Sequence, residues 1–329
     1  RGMMGSMRRH RLSLAALGSG LALSLLAGCS SSNADNGGPS GASRVQAEMA
    51  TTDIYVNAPQ RVAVGLVFAN GNLVTFGSVG FSFSYLGTTK QPIAPQAGPQ
   101  ATAAYIPTPG TPQGTGSGPT ISDPSTARGV YEAENVTFDA PGVWSVLVTA
   151  DIAGAGTQMA RKAFLVEAAP ALPAPGQPAL RTENLTIHSK GVPLAAIDSQ
   201  ASIDGSIPDR NLHEWTIAEA IAEHRPALVV FATPVYCISR FCGPVTDAVE
   251  QLSRTYANRA VFIHVEIWRN FKKHVINKAA ADWLYRKGDL TEPWLYLIGS
   301  NGRILDRWSS LFDVREVGRE LQKLPPMNG

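Results

Sequence analysis

Two cysteines that lie close together in the sequence are the residues best suited to chemistry in this chain. Cys237 and Cys242 are separated by four residues and directly follow an apolar run over residues 227–232. A thiolate is the attacking species in thiol–disulfide exchange, and a pair of thiolates also binds soft metal ions such as Cu(I). The pair therefore indicates either redox chemistry on thiols or metal binding.

The third cysteine, Cys29, ends an N-terminal segment that has the parts of an export signal in the right order. Three arginines within residues 8–11 precede an apolar run over residues 12–27, which is too short for a comfortable membrane span. The run closes as Leu-Ala-Gly-Cys29, which resembles the signal and lipobox of bacterial lipoproteins. The resemblance implies cleavage before Cys29 and lipid attachment to it. We expect a signal peptide over residues 1–28 and a flexible tether over residues 29–44.

Removal of the signal peptide changes both the charge and the cysteine count of the chain. The formal net charge of +2 becomes about −2, because residues 1–28 hold four arginines and no acids, so a nucleic-acid partner is not indicated. Lipidation of Cys29 leaves two of the three cysteines, and an even number favours a disulfide in an exported protein. We therefore expect a location in the bacterial cell envelope, lipid-anchored to a membrane on the extracytoplasmic side.

Residues 45–168 have the pattern of a β-rich domain. Val62, Val64 and Leu66 alternate with smaller or polar residues, which is the period of a half-buried strand. Turn dipeptides separate such segments, and we predict a small antiparallel sandwich. The segment over residues 131–148 resembles the immunoglobulin-like accessory domains of exported bacterial proteins, which implies an immunoglobulin-like fold for this domain.

Two proline-rich stretches interrupt or follow this domain. Residues 91–127 contain eight prolines, five glycines and a single charged residue, Asp123. We predict a disordered loop there, because proline and glycine oppose regular structure. Residues 169–184 are rich in alanine and proline and predict a semi-rigid linker.

Residues 185–325 differ in kind, because helical and strand patterns alternate. A Thr-x-x-Glu capping box at residues 216–219 predicts the start of a helix. The apolar run over residues 227–232 predicts a strand buried on both faces, and residues 260–267 predict a second one. Asn-Gly at residues 301–302 is a hairpin signal between two further apolar runs. The predicted order is helix, strand, helix, strand, helix, hairpin, helix.

This element order, with a cysteine pair after the first central strand, resembles exported, membrane-tethered thioredoxin-like proteins. Pro293, just before the hairpin, stands where that family carries a cis-proline facing the cysteines. The resemblance implies an α/β thioredoxin-like domain over residues 185–325. It also implies that Cys237 is the nucleophile and that Cys242 resolves the mixed disulfide.

Two charged residues near the cysteine pair could assist the thiol chemistry. Arg240 lies between the two cysteines and is a candidate for stabilising a thiolate. Glu292 directly precedes Pro293, and we weigh two interpretations for it. It either acts as a proton acceptor or shapes partner access, or it is an ordinary surface residue.

The spacing of the cysteines departs from the family pattern of two intervening residues. Residues five apart in an ideal helix have Cα atoms about 8.7 Å apart, whereas a disulfide needs less than about 7 Å. Cys237 must therefore lie outside a regular helix if the pair is to bond. We predict that the helix begins near Pro244, with both cysteines in the loop, and the opposite assignment of roles stays open.

The leading functional prediction is an extracytoplasmic thiol–disulfide oxidoreductase that acts on the cysteines of exported proteins and needs no cofactor. The first alternative is copper binding or delivery, in which Cys237, Cys242 and His264 hold the ion. The second is a non-catalytic binding module in which the disulfide is structural. The sequence does not indicate an oligomeric state.

Overall fold

The computed structural model describes residues 44–112 and 118–327. The predicted signal peptide over residues 1–28, the lipidation of Cys29 and almost all of the predicted tether lie outside the described residues. Within the described ranges, none of the helices combines the length and apolar character that crossing a membrane requires.

The first half of the chain forms one nine-stranded antiparallel sheet. Its strands are β1 (Val45–Met49), β2 (Gln60–Phe68), β3 (Leu73–Thr75), β4 (Ser78–Gly87), β5 (Pro92–Pro107), β6 (Thr120–Ser122), β7 (Gly129–Val136), β8 (Gly142–Ile152) and β9 (Gly156–Val166). They lie in the order β6-β3-β2-β7-β5-β4-β8-β9, and β1 pairs with β2. Alternate side chains of β2, among them Val62, Val64 and Leu66, are buried in the core, as their period of two predicts.

The prediction of a disordered loop over residues 91–127 is wrong, because most of its first half is β5. The three prolines at positions 92, 95 and 99 lie where β5 pairs only with β4, since β7 joins it only from Ala104 onward. Proline is tolerated in a strand on such an unpaired side, because its missing N–H is not needed there. Gly98 lies against the Trp144 ring, which leaves no room for a Cβ atom.

The second half of the chain contains a four-stranded sheet and five short α-helices. Its elements are α1 (Ala201–Asp204), α2 (Ile217–Ala222), β10 (Ala227–Ala232), α3 (Cys242–Thr255), β11 (Val261–Glu266), β12 (Trp268–Asn270), β13 (Val275–Ile276), α4 (Lys278–Leu284), β14 (Trp294–Ile298), β15 (Ile304–Ser309) and α5 (Val314–Lys323). The four strands lie in the order β11-β10-β14-β15, and β12 pairs with β13. The pairing of β10 with β11 is parallel, and β14 is antiparallel to both of its neighbours.

Several local predictions in this half are confirmed. Thr216 and Glu219 form both hydrogen bonds of the capping box at the start of α2. All six residues of β10 are buried, as expected for a central strand covered on both faces. Gly302 adopts a positive φ of 70° in the turn between β14 and β15, where the hairpin was predicted.

The predicted fold class is wrong. The chain is mostly β-sheet, with 39% of residues in strands and 18% in helices, and several of its sheets are antiparallel. This does not fit an immunoglobulin-like sandwich followed by an α/β thioredoxin-like domain. Strands β1 to β9 form one continuous sheet where two were expected, because strand pairing depends on contacts between residues far apart in the sequence.

Charged side chains join the two halves of the chain. The Arg61 guanidinium on β2 contacts Asp306 of β15 at 2.8 Å, and it also bonds Glu316 of α5. Arg307 reaches back to Asp53 at 2.7 Å, and this pair is almost fully buried. These contacts hold β1 and β2 against the edge of the four-stranded sheet, which is where the candidate site lies.

Candidate functional site

Cys237 and Cys242 form a disulfide with their Cα atoms 6.0 Å apart. Cys237 lies in the loop between β10 and α3, so the prediction that it lies outside the regular helix is confirmed. Cys242 is the first residue of α3, and the prediction that the helix begins only near Pro244 is wrong. Proline is tolerated at the third helical position because the N–H groups of the first turn have no intrahelical partner.

The two sulfur atoms lie in different surroundings. Cys242 is fully buried in the core under the four-stranded sheet, whereas Cys237 is partly exposed. The Sγ atom of Cys237 lies 3.2 Å from the Oγ atom of Ser239. Cys242 stands at the N-terminus of a helix of 14 residues, where free N–H groups and the helix dipole favour a thiolate.

Arg240 lies in the turn that carries the loop from Cys237 to the helix. Its backbone N–H donates to the Cys237 carbonyl at 3.3 Å, and its φ of 60° places it in the left-handed region. The side chain is exposed. Stabilisation of a thiolate by Arg240 therefore stays a prediction.

Glu292 is brought next to the disulfide by the segment that leads into β14. A carboxylate oxygen of Glu292 and the sulfurs of both cysteines lie within 4.8 Å of one another. The Oε2 atom of Glu292 is buried and has no hydrogen-bond partner among the described residues. Burial, with a smaller contribution from the nearby Glu266, raises the pKa of Glu292 to about 8. Glu292 is therefore half-buried beside the disulfide, and its role in the thiol chemistry stays a prediction.

Pro293 follows Glu292 through a cis peptide bond and is buried below the cysteine loop. Its carbonyl accepts a hydrogen bond from the N–H of Ser310 at 2.9 Å, which ties the segment to the end of β15. The cis bond at Pro293 agrees with the expectation for this position, whereas a role of Pro293 in the thiol chemistry stays a prediction.

An open groove of about 620 Å³ runs between the cysteine loop and the first two strands of the large sheet. Cys237 and Glu292 line it, whereas Cys242 does not. Most of the lining is apolar, and its apolar members include Met49, Leu66 and Phe241. Ile238, next to Cys237, is 98% exposed at the rim. Of the two cysteines, Cys237 is therefore the one that lies at an open, mostly apolar groove.

The structure separates His264 from the cysteines. His264 lies in the middle of β11 and is fully buried, but its ring nitrogens group with Asp198, Asp209 and His213. Glu292, and not His264, lies with Cys237 and Cys242, so the structure does not bring the three predicted copper ligands together. Copper binding by the thiols without His264 stays a prediction.

Sequence reasoning missed both the groove and the buried group around His264. The groove combines residues of β1 and β2 with residues at least 170 positions later, so no local pattern could have indicated it. Asp209 and His213, by contrast, lie four residues apart, which is a spacing that places two side chains on one face of a helical turn. That spacing could have predicted that Asp209 and His213 lie side by side.

Comparisons with known proteins do not identify this chain. No protein-family model matches it, and no curated protein matches it. A similar solved structure is that of the sporulation control protein Spo0M from Bacillus subtilis, at 13% identity and a TM-score of 0.24. The matched region covers 39% of this chain and 51% of that one, so this chain spans about half the length of that structure. A likeness at this score carries no information on fold or function.

Proposed function

We propose that this protein exchanges disulfides with the cysteine thiols of other proteins, through Cys237 and Cys242. The observation that carries the proposal is the asymmetry of the disulfide. One sulfur faces an open apolar groove, and the other is buried at a helix N-terminus beside a carboxyl group with a raised pKa. An accessible sulfur and a stabilised leaving thiolate favour disulfide exchange, and a nearby carboxylic acid can assist it by supplying a proton.

The first step is attack by a partner thiolate on Cys237 Sγ. The partner–Cys237 disulfide forms, the Cys237–Cys242 bond breaks, and Cys242 leaves with the electron pair as a thiolate. The N-terminus of α3 stabilises this thiolate. Glu292, which is protonated at neutral pH, supplies a proton to it directly or through one water molecule.

The second step completes the transfer of two electrons. A second thiolate of the partner attacks the partner sulfur of the mixed disulfide, the partner disulfide forms, and Cys237 leaves as a thiolate. In the reverse direction, Glu292 accepts the proton of Cys242, and the Cys242 thiolate attacks Cys237 Sγ in the mixed disulfide. The Cys237–Cys242 bond forms, the Cys237–partner bond breaks, and the partner sulfur leaves as a thiolate. The relative reduction potentials of protein and partner set the direction.

The groove favours partners that are polypeptides with apolar side chains next to the reacting cysteine. Apolar lining and the exposed Ile238 offer burial of apolar area and little polar recognition. If Cys29 is lipidated as predicted, the partners are exported proteins near a membrane of the bacterial cell envelope. Radiolabelled fatty acid incorporated into the chain, and lost on Cys29→Ala, would test that location.

Trapping of mixed disulfides tests the proposal. With Cys242→Ser, the partner stays attached to Cys237, and a covalent complex accumulates that reductant dissolves. With Cys237→Ser, no complex forms, because the buried sulfur is out of reach. Ser239→Ala, which removes only a neighbouring hydroxyl group, is the matched control. Accumulation with Cys237→Ser instead would reverse the roles of the two cysteines.

The reduction potential separates exchange from a purely structural disulfide. Structural disulfides of exported proteins typically lie below about −300 mV, whereas exchange-active ones are less negative. We expect the Cys237–Cys242 pair to lie above that limit. A pair far below it, with no trapped partner, would contradict the proposed function.

A further inference from the structure

Four buried side chains behind the cysteine loop form a second group of residues that could bind a ligand. They are Asp198, Asp209, His213 and His264, and each is at most 5% exposed. One nitrogen or oxygen atom from each lies within 4.8 Å of the corresponding atoms of the others. Asp198 follows a helical turn, Asp209 precedes a second turn that ends at His213, and His264 lies on β11.

The polar atoms that face one another in this group lack hydrogen bonds. Asp198 Oδ2, Asp209 Oδ1, His264 Nδ1 and both ring nitrogens of His213 are buried without a hydrogen-bond partner anywhere in the described ranges. Buried polar atoms are nearly always paired, because leaving one unpaired costs about 1–3 kcal/mol. One such atom from each of the four side chains lies in the same small space, and such a group calls for a binding partner that supplies positive charge.

The outer atoms of two of these side chains are, by contrast, well bonded. Asp198 Oδ1 accepts a hydrogen bond from the Gln200 N–H at 2.7 Å. His264 Nε2 lies 3.2 Å from the Ala232 carbonyl, to which it can only donate. The lone pair of His264 Nδ1 therefore faces the group, where it meets the free Asp198 oxygen at 3.8 Å. Two acceptors facing each other require a cation or a proton between them.

The spacing of the inward atoms fits a tetrahedral metal site. His213 Nε2 lies 3.3 Å from Asp198 Oδ2 and 3.6 Å from Asp209 Oδ1. A tetrahedron with metal–ligand bonds of about 2.1 Å has edges of about 3.4 Å. Charge-assisted hydrogen bonds would instead bring such atoms to about 2.7–2.9 Å.

We propose that Asp198, Asp209, His213 and His264 bind one Zn²⁺ ion. Imidazole and carboxylate are ligands that zinc uses, and four protein ligands in a closed site are typical of structural zinc. Two carboxylates neutralise the divalent charge, which a buried site requires. The hydrogen bond from His264 to the Ala232 carbonyl is the outer contact that orients a zinc-bound histidine.

The position of this site gives zinc a structural role next to the thiol site. Zinc would join the irregular segment over residues 194–213 to the sheet through His264. Ser199, next to Asp198, accepts a hydrogen bond from the N–H of Val235 at 3.2 Å and thereby contacts the start of the cysteine loop. The zinc site thus supports the segment from which Cys237 projects.

Calorimetric titration of the full chain with Zn²⁺ tests this inference. The disulfide is kept intact and any free thiol is alkylated, so that cysteines cannot bind the metal. We expect one Zn²⁺ per chain and no binding of Mg²⁺, which prefers all-oxygen octahedral sites. The double variant Cys237→Ser/Cys242→Ser should bind the same single ion, so the outcome does not depend on the proposed exchange function.

Ligand variants and a spectroscopic probe complete the test. Asp209→Asn should weaken zinc binding by more than the roughly 10–100-fold that loss of an outer contact costs, whereas the exposed His188→Gln should leave it unchanged. Co²⁺ in place of zinc should show the intense visible bands of tetrahedral coordination. Absence of both binding and bands in the folded chain would overturn the inference.

Burial opposes the charged form of His213, but the two carboxylates outweigh it and raise its pKa. If no zinc binds, a proton on His213 would hold the two carboxylates together. NMR titration of His213 would then show its protonated form.

Discussion

Two candidate sites lie at the same end of β10, and they differ in access to solvent. The thiol site has one sulfur in an open groove and a partly buried carboxyl group. The group around His264 is closed on every side, with atoms that face only one another. The difference teaches which site can react with a partner. Only the open site admits a second molecule, whereas the closed one is suited to hold an ion that stabilises the fold.

The largest expected effect is the loss of disulfide exchange without any change in zinc binding. Cys237→Ser should abolish disulfide exchange, because no other cysteine lines the groove among the described residues. Zinc binding by the same variant should be unchanged, because neither cysteine belongs to the closed site. Exchange is measured by mass spectrometry of a dithiol peptide, and zinc binding by calorimetry. Residual exchange in this variant would contradict the roles assigned to the cysteines.

A substitution in the closed site should lower the stability of the protein and leave disulfide exchange unchanged. Asp198→Asn keeps an acceptor for the Gln200 N–H but loses the negative charge at the closed site. We expect the free energy of unfolding with zinc present to fall by about 3–5 kcal/mol, as for a broken buried ion pair. Denaturant titration measures this change, with the exposed Asp204→Asn as control. Loss of exchange in molecules that remain folded would break the separation of the two sites.

Glu292→Gln should slow exchange at neutral pH by about 100-fold, the lower range for loss of a positioned proton donor. In the ratio of the wild-type rate to the variant rate, the pH dependence that comes from ionisation of the peptide thiol cancels. With a pKa of about 8, Glu292 donates its proton only below that pH, so the ratio should be largest there and decline above it. A ratio independent of pH would show that Glu292 does not transfer a proton.

The same substitution should change the pH dependence of stability. The pKa of Glu292 is raised from 4.5 to about 8 in the folded state, so that state retains a proton which the unfolded chain has lost. The free energy of unfolding of the wild type should therefore fall as pH rises from about 4.5 to about 8. The Gln variant lacks this fall, and denaturant titrations at pH 5 and pH 9 compare the two proteins.

The smallest expected effect concerns partner binding at the rim of the groove. Ile238→Ser should weaken the binding of an apolar dithiol peptide by roughly 10-fold, because partial burial of one aliphatic side chain is lost. The maximal rate should be unchanged, since the disulfide and Glu292 remain. Ile203→Ser, which removes an exposed isoleucine outside the groove, is the matched control. An equal effect of both variants would argue against a docking role for the groove.

Local patterns predicted individual elements better than their assembly. The capping box at Thr216 and the turn at Gly302 depend on contacts within a few residues, and both are confirmed. The prolines of β5 led to a wrong prediction of disorder. Their effect depends on which side of the strand has no partner strand. The fold class failed for the same reason, since it depends on strand partners far apart in the chain.

The sequence by itself determined the cysteine pair, the loop that holds Cys237 and the buried strand before it. Those features follow from chain geometry and apolar runs that act over short distances. Only the tertiary structure decided that Glu292 lies beside the sulfurs and that His264 does not. Asp198 and His264 are 66 positions apart in the sequence yet within ion-pair distance. Burial and the pKa values it shifts arise only when such distant residues pack together, because desolvation depends on the whole surrounding fold.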